Sequence, residues 1–142
     1  MKHITLIVLC FSLIVSCRTE QDETQNVQKV VYGAYKAIDE FNHDVIRAKC
    51  TNDAMIFLGG TVMTMDDFIN MLKGMEGKVT MDHQLEDVRT RVEGPMAWMA
   101  MRVRDELSEN EWIESAVLEK REGLWKIAFW HSTPAASEEG ES

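Results

Sequence analysis

The chain is poor in the devices that stabilise small secreted domains or signal an obvious chemistry. Three cysteines and two prolines are present in 142 residues. With Cys10 in the leader and Cys17 in the lipobox described below, only Cys50 remains, so no intramolecular disulfide is expected and the fold must rest on its apolar core. Basic residues are scarce: 15 Lys and Arg stand against 24 Asp and Glu, giving a formal charge of −9. No basic stripe occurs, so a polyphosphate partner is not expected and nucleic-acid binding is set aside. No histidine pairs with another at helical ligand spacing, so no metal site is expected. No cofactor motif is visible, and none is expected. No apolar run reaches the roughly 20 residues of a comfortable membrane span.

What is present starts with Lys2 and an apolar stretch, Ile4 to Val15, of leader length. Residues 1–16 are expected to be a signal peptide. The sequence Leu13-Ile14-Val15-Ser16-Cys17 resembles a bacterial lipobox. That resemblance implies cleavage before Cys17, acylation of Cys17, and a protein tied by lipid to the bacterial cell envelope, on the periplasmic or surface face of the outer membrane. Residues 17–25 are polar and without periodicity, and are expected to form the lipidated Cys and a flexible tether. Cys50 is expected to be a buried apolar residue rather than a nucleophile.

Residues 26–134 form one domain, with room for a single core. Val27, Val31, Ala34, Tyr35, Ile38 and Phe41 recur at helical spacing and predict an amphipathic helix over 26–42. Asp44 is expected to cap a short second helix, 45–49. Residues 53–58 form a strand ending at Gly59-Gly60, and Thr64 with Asp67 forms a capping box for a third helix. From Val79 the pattern alternates. Val79, Met81, His83 and Leu85 are expected on one face of a long strand running to about Val92. Strands at 96–107 and 111–120 follow, then the closing strand in the stretch 123–132, joined by short turns, so the sheet is expected to be antiparallel. Helices first and long strands after give an α+β domain. The acidic tail, 135–142, is expected to be disordered.

The order of these elements, Asp53-Ala54, Gly60 and the ending Gly-Leu-Trp-Lys-Ile-Ala-Phe-Trp-His-Ser (123–132) resemble the SnoaL-like branch of the nuclear-transport-factor-2-like superfamily. The ending is also similar to the association domain of calcium/calmodulin-dependent kinase II. The resemblance implies a cone-shaped fold with N-terminal helices packed on a curved antiparallel sheet, a pocket between sheet and first helix, and a homodimer formed through the sheet. Steroid isomerases of that superfamily carry a base at the end of the first strand, where this chain has Phe57 and Leu58.

The expected pocket comprises Tyr35, Phe57, Met81, His83, Trp98, Met101, Arg102, Trp112 and His131. His131 is the candidate acid/base, since a histidine can move a proton near neutral pH. Tyr35 is the candidate donor to developing negative charge. Arg102, if turned inward beside Trp98, would hold a carboxylate. Strand alternation sets Ser132 opposite His131, which argues against a Ser-His nucleophile. Ten Met residues suggest an adaptable interior suited to a small apolar or carboxylate-bearing ligand. Two alternatives stay open. One is a small isomerase, dehydratase or cyclase using His131; the other is a dimerisation or interaction module whose cone is filled.

Overall fold

The computed structural model describes residues 2–136, with side chains from Gln21 onward. The leader, Cys17 and residues 137–142 therefore lie outside what the side-chain description reaches. Helix α1 (Lys2–Asp39) leads into α2 (His43–Lys49), β1 (Cys50–Leu58), β2 (Thr61–Thr64) and α3 (Met65–Met75). Four long strands follow: β3 (His83–Glu93), β4 (Met96–Asp105), β5 (Glu111–Arg121) and β6 (Leu124–Pro134). Among the described residues no helix is long and apolar enough to cross a membrane.

Helix α1 buries Val27, Val31, Ala34, Tyr35 and Ile38 of the expected stripe, with Ala37 beside them, and ends at Asp39, so Phe41 lies beyond it at positive φ. It also runs unbroken through residues 17–25, the expected tether. That segment has no Gly or Pro and is rich in Glu and Gln, good helix formers, so it can extend a helix nucleated on the packed stripe. Its last turns are fastened from the side. Glu23 accepts from Lys120 Nζ at 2.8 Å and from Trp125 Nε1 at 2.6 Å. Asn42, not Asp44, caps α2, its side chain accepting from the Val45 N–H. Helix α3 begins at the expected capping box, with Thr64 and Asp67 each bonding the other's backbone N–H, and buries Met65, Phe68, Ile69 and Leu72.

The sheet order is β2-β1-β6-β5-β4-β3. Hairpins make every pair antiparallel except one: β1 lies parallel to β6, and this corrects the all-antiparallel expectation. Local turns reveal which neighbours are joined by hairpins, but β1 and β6 meet across some seventy residues of chain, which no turn announces. The short strand β2, missing from the expected set, is the return arm of the Gly59-Gly60 turn, where both glycines have positive φ. The curved, unclosed sheet carries α1, α2 and α3 on its inner face. Fully burying a side chain such as Val31, Ile127 or Leu118 there contributes about 1.5–3 kcal/mol.

Two bulges decide which residues look inward. In β3 the register shifts between Glu86 and Arg89, and Asp87 has φ of 52°. In β6 the register skips Ala128: Ile127 pairs with Leu118 but Phe129 pairs with Val117. One extra residue reverses the facing of everything after it. Trp125 and Ile127 are buried, and so are Trp130 and Ser132, while Phe129 and His131 turn to the outer face. Strict alternation predicted the reverse for Phe129 and His131.

Candidate functional site

The inner face of the sheet, the end of α1 and the side of α3 enclose an open pocket of about 130 Å³. This is near the size of an engineered protein cavity that admits benzene. Its apolar wall includes Phe68 and Met71 from α3, Met75 at the α3 end, Met81 from the segment before β3, and Trp112 from β5. Leu58, the residue at the end of β1, faces the pocket and no carboxylate stands there.

Polar groups enter from two sides. From α1, Tyr35 is buried, and its hydroxyl donates to Glu114 Oε2; Trp130 Nε1 donates to the same oxygen at 2.8 Å. Burial pushes the Tyr35 hydroxyl well above the usual tyrosine range, and the negative charge of Glu114 adds to that shift. At the end of α1, Asp39 Oδ1 pairs with His83 Nδ1, and Asp39 Oδ2 accepts from the His83 backbone N–H at 3.3 Å. A carboxylate only accepts, so Nδ1 carries the proton that faces Asp39, and in the neutral ring Nε2 is then the acceptor nitrogen. The His83 ring lies 5.4 Å from Tyr35 and 6.0 Å from Trp112, centroid to centroid. The pocket therefore has a histidine–aspartate pair and, adjoining it through the Tyr35 ring, a tyrosine–glutamate–tryptophan cluster.

Of the residues expected from sequence, Tyr35, Met81, His83 and Trp112 line this pocket. The others do not. Phe57 and Phe129 pack ring to ring at 5.1 Å on the outer face, with His131 beside Phe57 in register. His131 Nε2 reaches only Thr133 Oγ1, at 3.1 Å, and takes no part in the pocket. Trp98 is 45% exposed on the outer face of β4. Arg102 shares that face and pairs with Glu111 at 3.0 Å and Asp87 at 3.7 Å, so it offers no inward anion site. Met101 is buried in the core without lining the pocket. Asp105, buried at the end of β4, organises a turn. It accepts from Ser108 Oγ and from the N–H groups of Asp82 and Leu107. Burial opposes its ionisation, but these donors and nearby His83 together hold its carboxyl below the usual range.

Sequence reasoning missed Glu114, Trp130 and Ser132. Glu114 alternates with the apolar residues Trp112, Ala116 and Leu118 on one strand face, a signal that was legible. Trp130 and Ser132 were hidden by the bulge at Ala128. Cys50 is buried as expected, and burial pushes its thiol up to about 12, which favours the protonated, unreactive form. Among the described residues no cluster of His, Cys, Asp and Glu is arranged to hold a metal ion.

The sequence matches the SnoaL-like domain over residues 27–137. Solved structures share the fold. A nuclear-transport-factor-2-like protein of unknown function from Pseudomonas putida KT2440 superposes with a TM-score of 0.72 at 14% identity, over 84% of this chain and 91% of that one. A "putative ketosteroid isomerase" from Shewanella frigidimarina NCIMB 400 has a TM-score of 0.66 and 22% identity, over 76% and 94%. A "putative dehydratase" from Streptomyces avermitilis has a TM-score of 0.71 and 13% identity, over 82% and 99%. At these identities the likeness is one of fold. No curated protein matches the sequence.

Proposed function

This chain belongs to the SnoaL-like domain family, and from that premise we propose that it binds a small, largely apolar molecule in the pocket between α1, α3 and the sheet. The observation that carries the reading is an open cavity whose wall is methionine and aromatic, into which a few buried polar groups converge. Sites for small molecules have this makeup: apolar area for affinity and a few fixed polar atoms for orientation. Met71, Met75 and Met81 let the wall adapt to the occupant. The test is toluene or indene titrated against the tryptophan fluorescence of the protein. Saturable quenching is expected, and Met81→Trp, which fills the cavity, should abolish it. An unsaturable response in the wild type would refute the reading.

A second reading is favoured by the Asp39–His83 pair. A histidine oriented through Nδ1 by a carboxylate, with Nε2 free to accept, is the arrangement of a general base. In this reading the domain is a cofactor-independent isomerase or dehydratase in which His83, not His131, moves the proton. The Tyr35 hydroxyl is already committed to Glu114 and would not act as acid. Deuterium wash-in at the α-carbon of a bound cyclic ketone such as cyclohexanone checks this. Exchange should exceed that of buffer and vanish in His83→Gln; exchange equal to buffer would count against catalysis.

The setting of the domain is part of the same proposal. Leu13 to Cys17 supports acylation of Cys17 and a lipid-anchored envelope protein. Incorporation of an alkynyl fatty acid by the wild type but not by Cys17→Ser, in a bacterial host, is the expected result. The outer sheet face supports a homodimer: Met55, Phe129, Val117 and Trp98 lie in one register row across four strands, and Met55 and Trp98 are 48% and 45% exposed. Light scattering should give twice the monomer mass, reduced to one by Trp98→Glu.

A further inference from the structure

The fold leaves two polar atoms of the pocket unused. Ser132 is 5% exposed, lines the pocket, and its Oγ has no hydrogen-bond partner among the described residues. Glu114 is 7% exposed. Both of its donors among the described residues, Tyr35 and Trp130, converge on Oε2, and none of them reaches Oε1. The two residues are directly opposed in the β5–β6 register, which places their side chains side by side on the inner face. A buried hydroxyl and a carboxylate oxygen, both open to the same cavity, make an acceptor pair waiting for a donor.

The charge around this pair selects the donor. No Lys or Arg lines the pocket; its titratable groups are Glu114, Tyr35 and His83, the last engaged by Asp39. A ligand carboxylate would meet Glu114 with no cation to offset the repulsion, and removal from water strengthens that repulsion. A protonated amine brings positive charge and three donors. The rings of Tyr35, Trp112 and Trp130 line the same pocket and supply apolar area for the rest of the ligand.

We propose that Glu114 Oε1 and Ser132 Oγ seat the cationic amine head of a ring-sized, otherwise apolar ligand. This rests on the pocket reading above and sharpens it, replacing the carboxylate-bearing ligand by an amine-bearing one.

The test uses four probes of one shape: benzylamine, benzyl alcohol, benzoate and toluene. Each is titrated into the whole protein at pH 7 while the indole N–H signals of Trp112 and Trp130 are followed by NMR. Benzylamine is expected to bind at least tenfold more tightly than benzoate, with benzyl alcohol between. Ser132→Ala should weaken benzylamine three- to tenfold and leave toluene unchanged, which shows that the variant still folds around the pocket. Glu114→Gln should erase the preference of benzylamine over benzyl alcohol. Equal affinities for benzylamine and benzoate, or tighter benzoate, would overturn the assignment while toluene binding upheld the pocket. If no probe, toluene included, moved either indole signal, the pocket reading would fall and this inference with it.

Discussion

Replacing Tyr35 by Phe removes a single oxygen from the centre of the site and asks how much the buried cluster is worth. The ring stays, with its edge contact to Trp130 at 5.1 Å and its tilted contact to His83 at 5.4 Å. What is lost is the donation from the Tyr35 hydroxyl to Glu114 Oε2. A hydrogen bond to a charged acceptor contributes about 1.5–3 kcal/mol, so a loss of about 2 kcal/mol is expected. With a urea m-value of about 1.5 kcal/mol/M for a domain of this size, the midpoint should fall by about 1.3 M with m unchanged. Tyr32, 44% exposed on the same helix, is the control: Tyr32→Phe should stay within about 0.5 kcal/mol of wild type. In a Glu114→Gln background the acceptor is neutral, and Tyr35→Phe should then cost only about 1 kcal/mol, a coupling of about 1 kcal/mol in the double-mutant cycle. A Tyr35→Phe protein within 0.5 kcal/mol of wild type would show that the hydroxyl and carboxylate do not interact in solution, and the polar flank of the pocket would have to be redrawn.

Other consequences are open to simpler measurements. His83→Ala should abolish the pocket's response to toluene or shift it severalfold, whereas His131→Ala, on the outer face, should leave it within twofold; the opposite ranking in a fluorescence titration would mean that the β6 bulge is absent. The raised pKa of Tyr35 has a signed effect on stability: the folded state keeps its proton where the unfolded chain gives it up, so stability is fully present below pH 10 and declines as pH rises beyond it. Absorbance at 295 nm should show the Tyr35 ionisation only together with unfolding, and Tyr35→Phe should remove that part of the alkaline loss. Glu23 works in the other direction. Its hydrogen bonds to Lys120 and Trp125 lower its carboxyl below the ordinary 4.5, so its contribution is present above that pH and lost as pH falls through the lowered value. Hydrogen exchange at residues 21–27 should accelerate in that acid window, and Glu23→Gln should show the faster exchange already at pH 7.

Part of the site was readable in the chain. Tyr35 falls on the helical stripe with Val27, Val31 and Ile38, and a stripe of that spacing has one way to face a sheet. His83 follows Met81 and precedes Leu85 at strand spacing, before the bulge at Asp87, and alternation places it correctly. Met81 and Trp112 were found on the same grounds. The failures have two causes. Phe57, Trp98 and Arg102 alternate correctly along their own strands, but nothing in a single strand says which of its two faces is inner, and the inner one was assigned wrongly. For His131 the alternation itself was broken, by one residue at Ala128.

The sequence by itself determined the three helices of the domain, the order of the long strands, the capping box at Thr64 and Asp67, and the four-strand meander, because each depends on residues close together in the chain. It also identified the family, whose closing Trp-Lys-Ile-Ala-Phe-Trp-His-Ser carries the resemblance. Tertiary structure decided the parallel seat of β1 beside β6, the extension of α1 through Glu23, and above all the facing of β6. A bulge involves no unusual residue here: Ala128 is an ordinary strand occupant, and the extra residue is forced by how β6 must fit between β5 and β1 at once. That fit moved His131 out of the pocket and brought in Trp130 and Ser132 beside Glu114. The polar chemistry of the site is thus a property of strand register, and register is settled only when distant strands meet.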